Sequence, residues 1–203
     1  MNKSKFSLIA LIAMGITSYS YAVAPGFYVG GQAGGSNLHN KNQTITVNSA
    51  SVLATPANTG FGIRFFGGYQ YTYFGVETGL TAYARSKYSN SLTVGTPSIT
   101  TYAWDVVGKG LWVSPVGLGV YGKAGFAVAS LGASGSIVGG PSGIKPRPTA
   151  GFGVTFDFAQ NWVGEVSFSR IFAAGGTTMQ NADLAALGIT YHFVDEYCGQ
   201  FLC

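Results

Sequence analysis

Charge is scarce in this 203-residue sequence. Lys and Arg number 11 and Asp and Glu 7, so charged residues make up 9% of the chain, against about a quarter in an ordinary soluble domain. Aromatic content of 14% and 31 glycines accompany that low charge, which excludes a disordered chain. Long apolar runs are missing as well. After the N-terminus no stretch approaches the roughly 18 apolar residues of a membrane helix. Dense Lys/Arg clusters are absent, so the sequence does not point to nucleic acid. Only two cysteines occur, Cys198 and Cys203, both in the terminal CGQFLC. They suit a small intramolecular disulfide in an oxidising compartment, with pairing between molecules as the alternative. A zinc site there would need two further ligands, and none is nearby. Only two histidines occur, His39 and His192, and neither has an evident Ser and acid partner at matching depth. No catalytic constellation or cofactor site is therefore read from the chain.

What the sequence does have is alternation. From Thr59 to Arg85, Phe61, Ile63, Phe65, Gly67, Tyr69 and Tyr71 fall at every second position, and so do Phe74, Val76, Thr78, Leu80 and Ala82. Side chains two apart share one face of a strand. The opposite face carries Arg64, Gln70, Glu77, Thr81 and Arg85. A tight turn at Tyr71-Thr72-Tyr73 joins the halves, giving a hairpin with one apolar and one polar face.

Lys3 and Lys5, an apolar Phe6–Ile16 and the small residues of Ser20-Tyr21-Ala22 read as a secretory signal peptide cut after Ala22. Removing it takes two of the 11 basic residues and leaves a net charge of +2. Residues 23–193 are read as one domain and 194–203 as a short periplasmic tail.

Along that domain the alternation predicts eight strands: 25–35, the two arms of the hairpin, then 99–112, 117–130, 149–158, 162–172 and 182–193. A tilted strand crosses the hydrocarbon in about 9–11 residues. The connections run long, short, long, short, with 36–58, 86–97, 131–147 and 173–181 as the long ones. The pattern is that of an all-β, eight-stranded, antiparallel, up-and-down transmembrane barrel with short periplasmic turns and long outer loops. Tyr69, Tyr71, Phe74, Trp112, Phe158, Trp162, Tyr191 and Phe193 crowd the strand ends beside the short turns, as an interfacial girdle would.

The ordered series GGYQYTYFGVETG, VVGKGLW, GVYGKAGFAVAS, GFGVTFDF and LGITYHF resembles the OmpA-type transmembrane domain over about residues 26 to 193. The resemblance implies a Gram-negative outer membrane. It also implies that Gly188, Tyr191 and Phe193 form the closing signal read by the barrel-assembly machinery. Larger members continue into a peptidoglycan-binding domain, and such anchoring is not expected here.

Arg64, Glu77, Asp105, Lys109, Lys123, Asp157 and Glu165 all fall on the inward face. Buried charges need partners, because an unpaired one costs several kcal/mol. The sequence therefore predicts a lumen ion-pair network, with Glu77–Lys109 as its first pair. Family positions align with Glu77, Lys109 and Lys123. The family's strand-seven Arg falls at Glu165 and its strand-six Glu at Thr155, which leaves Glu165 to Lys109 or Lys123. The network reads either as a structural plug or as a gate on a narrow water path. Lys41, Arg85, Lys87, Lys145, Arg147 and Arg170 lie toward the outer loops, where lipopolysaccharide headgroups could pair with them.

The expectation is a monomeric, non-enzymatic outer-membrane barrel. Its four loops contact lipid, lipopolysaccharide, or a host or environmental ligand; the alternative is a small low-conductance pore.

Overall fold

Alternating residues pair into ten strands among the residues that the computed structural model describes, which are 25–47, 50–89, 98–114, 117–134, 146–159, 161–174 and 179–193. Residues 1–24, where the sequence leads one to expect a signal peptide, lie outside the described residues, as do Cys198, Cys203, Lys145 and the Pro115-Val116 part of the second short turn. The strands are β1 (Gly26–Asn40), β2 (Gln43–Val47), β3 (Ala50–Pro56), β4 (Thr59–Gln70), β5 (Phe74–Ser89), β6 (Ser98–Val113), β7 (Leu118–Ser134), β8 (Pro146–Ala159), β9 (Trp162–Phe172) and β10 (Met179–Phe193).

Eight of them close on themselves in the order β1-β4-β5-β6-β7-β8-β9-β10, with all neighbours antiparallel. The seam is the β1–β10 pairing, which runs from Phe27↔Phe193 to Asn40↔Met179. Closure leaves no bare strand edge within the barrel.

The outward residues are large and apolar on every side: Phe65 and Leu187 are 66% exposed and Phe74 is 71%. An apolar belt of this extent is at home in hydrocarbon and not in water. At the end that carries the short turns, Tyr69 meets Phe27 and Tyr71 edge-on at 4.9 Å, and Tyr191 meets Trp162 at 5.0 Å and Phe193 at 5.1 Å. The Tyr71-Thr72-Tyr73 turn closes with the Tyr71 N–H donating to the Phe74 carbonyl at 2.5 Å. Gly117 takes the left-handed backbone (φ 77°) of the next turn, which costs glycine no Cβ clash.

Three expectations change at the other end, here called the loop end. The 36–58 stretch is not a plain loop. β1 continues to Asn40, and β2 and β3 form a hairpin that joins β5 through Thr55↔Ser89 and Pro56↔Tyr88. Their sequence lacks alternation, and their backbone pairing defines them. β5 also runs on to Ser89, β7 to Ser134 and β8 back to Pro146, while β10 starts at Met179. Arg85, expected on the inner face, is exposed. Tyr83 pairs with Thr101 but Ser86 pairs with Ile99, so β5 holds one extra residue there. A bulge of this kind reverses the alternation beyond it.

Candidate functional site

The barrel interior is layered, and its middle layer is a hub centred on Glu77. β5 points Glu77 inward at 1% exposure. Arg64 Nη1 on β4 lies 2.9 Å from its Oε1, Lys123 Nζ on β7 3.2 Å from the same oxygen, and Lys109 Nζ on β6 3.8 Å from Oε2. The Tyr28 hydroxyl donates to Oε2 at 3.1 Å. Arg64 also grips Asp105 with two parallel bonds, Nη2–Oδ1 at 2.7 Å and Nε–Oδ2 at 3.2 Å. Such two-point geometry is the strong form of an Arg–carboxylate pair. The sequence's first pair, Glu77–Lys109, is thus the longest of the three contacts that Glu77 makes with cations. Lys109 is also held from the ring faces, 4.3 Å from the Tyr121 centroid and 5.3 Å from that of Tyr28.

Two of the expected members behave differently. Glu165 takes neither lysine as an ion-pair partner. Gln32 Nε2 donates to its Oε1, and the Tyr121 hydroxyl donates to Oε2 at 3.2 Å. Gln32 reaches across β10 at Gly188, where an added Cβ would stand 2.5 Å from Gln32 Cγ. Asp157 is outside the network. Its register partner is Val163, one inward row nearer the turns than Thr155↔Glu165, and its buried Oδ2 has no partner among the described residues.

Tyr28, Gln32 and Tyr121 were not singled out from the sequence. The only signal for them was an inward phase in glycine-rich strands. Glycines are what seat these bulky groups: an added Cβ at Gly68 would lie 2.8 Å from the Tyr28 ring, one at Gly153 2.7 Å from Tyr121, and one at Gly79 2.5 Å from Arg64 Nη2.

Above this layer, toward the loop end, an apolar cluster fills much of the interior beside buried Ser36, Asn40, Ser86, Ser98 and Thr101. Leu38, Tyr83, Ile171, Met179 and Leu184 pack there at 0–5% exposure with small alanines between them. A cavity of about 10 Å³ lies at the boundary, lined by Arg64, Tyr83 and Asp105 among others, room for about one water. Below the hub, Tyr28 stacks on His192 at 5.2 Å, and Gln70 Nε2 donates to the Tyr71 carbonyl at 2.7 Å.

The outward wall has one charged cluster at the loop end. Arg170 binds Asp183 with Nε–Oδ1 at 2.7 Å and Nη2–Oδ2 at 2.6 Å. His39, expected in a loop without an acid partner, stands on β1 with Nε2 3.5 Å from Asp183 Oδ2. Asp183 gives both oxygens to Arg170, so it neutralises that cation. Lys41, Arg85 and Lys87 are exposed at the same end, and Arg147 is half-buried. Among the described acids only Asp183 lies at the loop end; Glu77, Asp105, Asp157 and Glu165 are inward.

A charge-filled barrel wrapped in an apolar belt matches a known family. Residues 6–193 fit the model of the outer membrane protein beta-barrel domain. The chain belongs to that family. This outer-membrane barrel is 30% identical over 219 residues to a protein of Coxiella burnetii (strain RSA 493 / Nine Mile phase I) described as uncharacterized, covering 87% of this chain and 88% of the relative. Among solved structures it is similar to the outer membrane protein OprG from Pseudomonas aeruginosa, with a TM-score of 0.58 at 12% identity, covering 87% of this barrel and all of OprG. It is also similar to Ail, the attachment invasion locus protein of Yersinia pestis, in complex with the heparin analogue sucrose octasulfate. There the TM-score is 0.50 at 13% identity, covering 84% of this barrel and 99% of Ail. At these identities the likeness is one of fold.

Proposed function

We propose that this outer-membrane barrel is a closed, non-conducting surface protein that displays its loop end outside the cell and binds an anionic partner there. The observation that carries the reading is the filled interior. An ion on its way through would have to displace the Glu77 hub and then pass the packed side chains around Leu38, Met179 and Leu184. An eight-stranded barrel is just wide enough for side chains to fill, and here they fill it. The anionic partner is argued from charge. Among the described residues five cations, Lys41, Arg85, Lys87, Arg147 and Arg170, stand at the loop end with a single carboxylate, Asp183. Ail, a fold neighbour, is described with a sulfated heparin analogue, which is a ligand of that class. During assembly, Gly188, Tyr191 and Phe193 on the closing strand are the residues offered to the insertion machinery, and the inserted barrel is monomeric and without enzymatic activity.

Planar-bilayer conductance of the purified protein, with Lys109→Ala beside it, tests the closed interior. Neither should conduct. Discrete current steps from the wild type, enlarged in the variant, would replace this reading with that of a small pore gated by the interior pairs.

A further inference from the structure

Two grooves formed by described residues on the lipid-facing wall differ in what lies above them. The first, about 380 Å³, crosses β4 to β7. Its walls are two rows of registered neighbours, Ile63–Ala82–Tyr102 and, nearer the turns, Phe65–Leu80–Trp104. The hollow exists because Ala82 is small between two large residues. Trp104 is pinned as one wall: its indole N–H donates to Thr78 Oγ1 at 2.9 Å, and that hydroxyl donates to the Asp105 carbonyl at 2.9 Å.

Directly beyond Ala82 on the same strand comes the β5 bulge. The extra residue there aligns Arg85 and then Lys87 with the outward residues Leu80 and Ala82. Both side chains are exposed, and neither meets a carboxylate among the described residues. The second groove, along Ala33 and Ile189, is topped by Asp183, which Arg170 already neutralises.

We propose that the first groove and the Arg85–Lys87 pair form a binding site for one phosphorylated, acylated glycolipid of the outer leaflet. An acyl chain lies against Ala82 between Phe65 and Trp104, and a headgroup phosphate meets the two cations. Tyr102, half apolar and half polar, sits at the level where chain gives way to headgroup. The cations are two residues apart on one strand, about 6–7 Å along it, so a single phosphorylated sugar can reach both. The site takes its charge from Arg85 and Lys87, two of the cations counted toward the anionic loop-end partner, and so rests on that reading, while the groove at Ala82 belongs to it alone.

Native mass spectrometry of the full protein in detergent, titrated with lipid A, tests the site. One lipid A should stay bound through detergent removal. Arg85→Ala/Lys87→Ala should weaken retention about tenfold or more, the loss of charge-assisted contacts. Ala82→Trp fills the hollow and keeps the cations, and it should do the same; Ala82→Leu serves if the larger ring impairs folding. Leu187→Ala, in the second groove, should bind like wild type. Phosphatidylglycerol and dephosphorylated lipid A should be retained much less. Equal retention of phosphatidylglycerol would mean a general anionic lipid belt and overturn the proposal. So would retention unchanged in the double and the groove variants, or no retained lipid at all.

Discussion

Glu77 holds three cations and a tyrosine hydroxyl, so its removal is the most damaging single change the interior offers. Glu77→Ala leaves Arg64 with Asp105 but strands Lys109 and Lys123 in the packed interior. Breaking a buried pair from one side costs about 3–5 kcal/mol. Urea unfolding of the detergent-solubilised barrel should show a loss of that size, and heat-modifiable gel mobility should show earlier melting. Asp157→Asn should leave both unchanged, because the carboxylate has no partner to lose. A large loss there would mean that Asp157 is held by something outside the described residues. The inward placement of these charges was legible in the sequence because a strand reports its faces at every second residue. Their partners were not. Gln32 reaches Glu165 only because Gly188 between them has no side chain, and alternation says nothing about which neighbour a glycine lets through.

Elements were legible where one face is apolar, and became illegible where the strands leave that constraint. β9 begins and ends where the pattern put it, at Trp162 and Phe172, whereas β1 and β5 outrun their expected ends. The backbone register between the β2–β3 hairpin and the barrel strand β5 is short, Thr55↔Ser89 and Pro56↔Tyr88. Replacing residues 43–56 with a short Gly-Ser linker should therefore leave barrel folding intact, read as unchanged heat-modifiable mobility. Loss of the folded band would show that the hairpin is part of the barrel's stability. The bulge in β5 was hidden for a related reason. Arg85 fits the inward polar series as well as the outward one, and only the pairing of Ser86 with Ile99 shows which it joins.

For the whole molecule, the charges divide into two populations with different responses to salt. The Glu77 hub is buried, and screening reaches buried pairs weakly, whereas exposed charges are largely screened beyond about 8 Å at physiological salt. Raising NaCl should leave the unfolding midpoint nearly constant while weakening the proposed binding of an anionic partner severalfold. A midpoint that falls in step with binding would place the hub within reach of solvent. The glycine seats beneath Tyr28, Tyr121 and Arg64 carry one more consequence, for how such an interior can change over generations. A larger residue at Gly68 collides with Tyr28, and a smaller one at Tyr28 leaves a void above Gly68. A backbone oxygen stands nearer still, that of Val76 to a Cβ at Gly68 and that of Val166, at 2.6 Å, to one at Gly153, so shrinking the tyrosine does not admit a side chain, and these two seats stay glycine while the lipid-facing wall is free to vary singly.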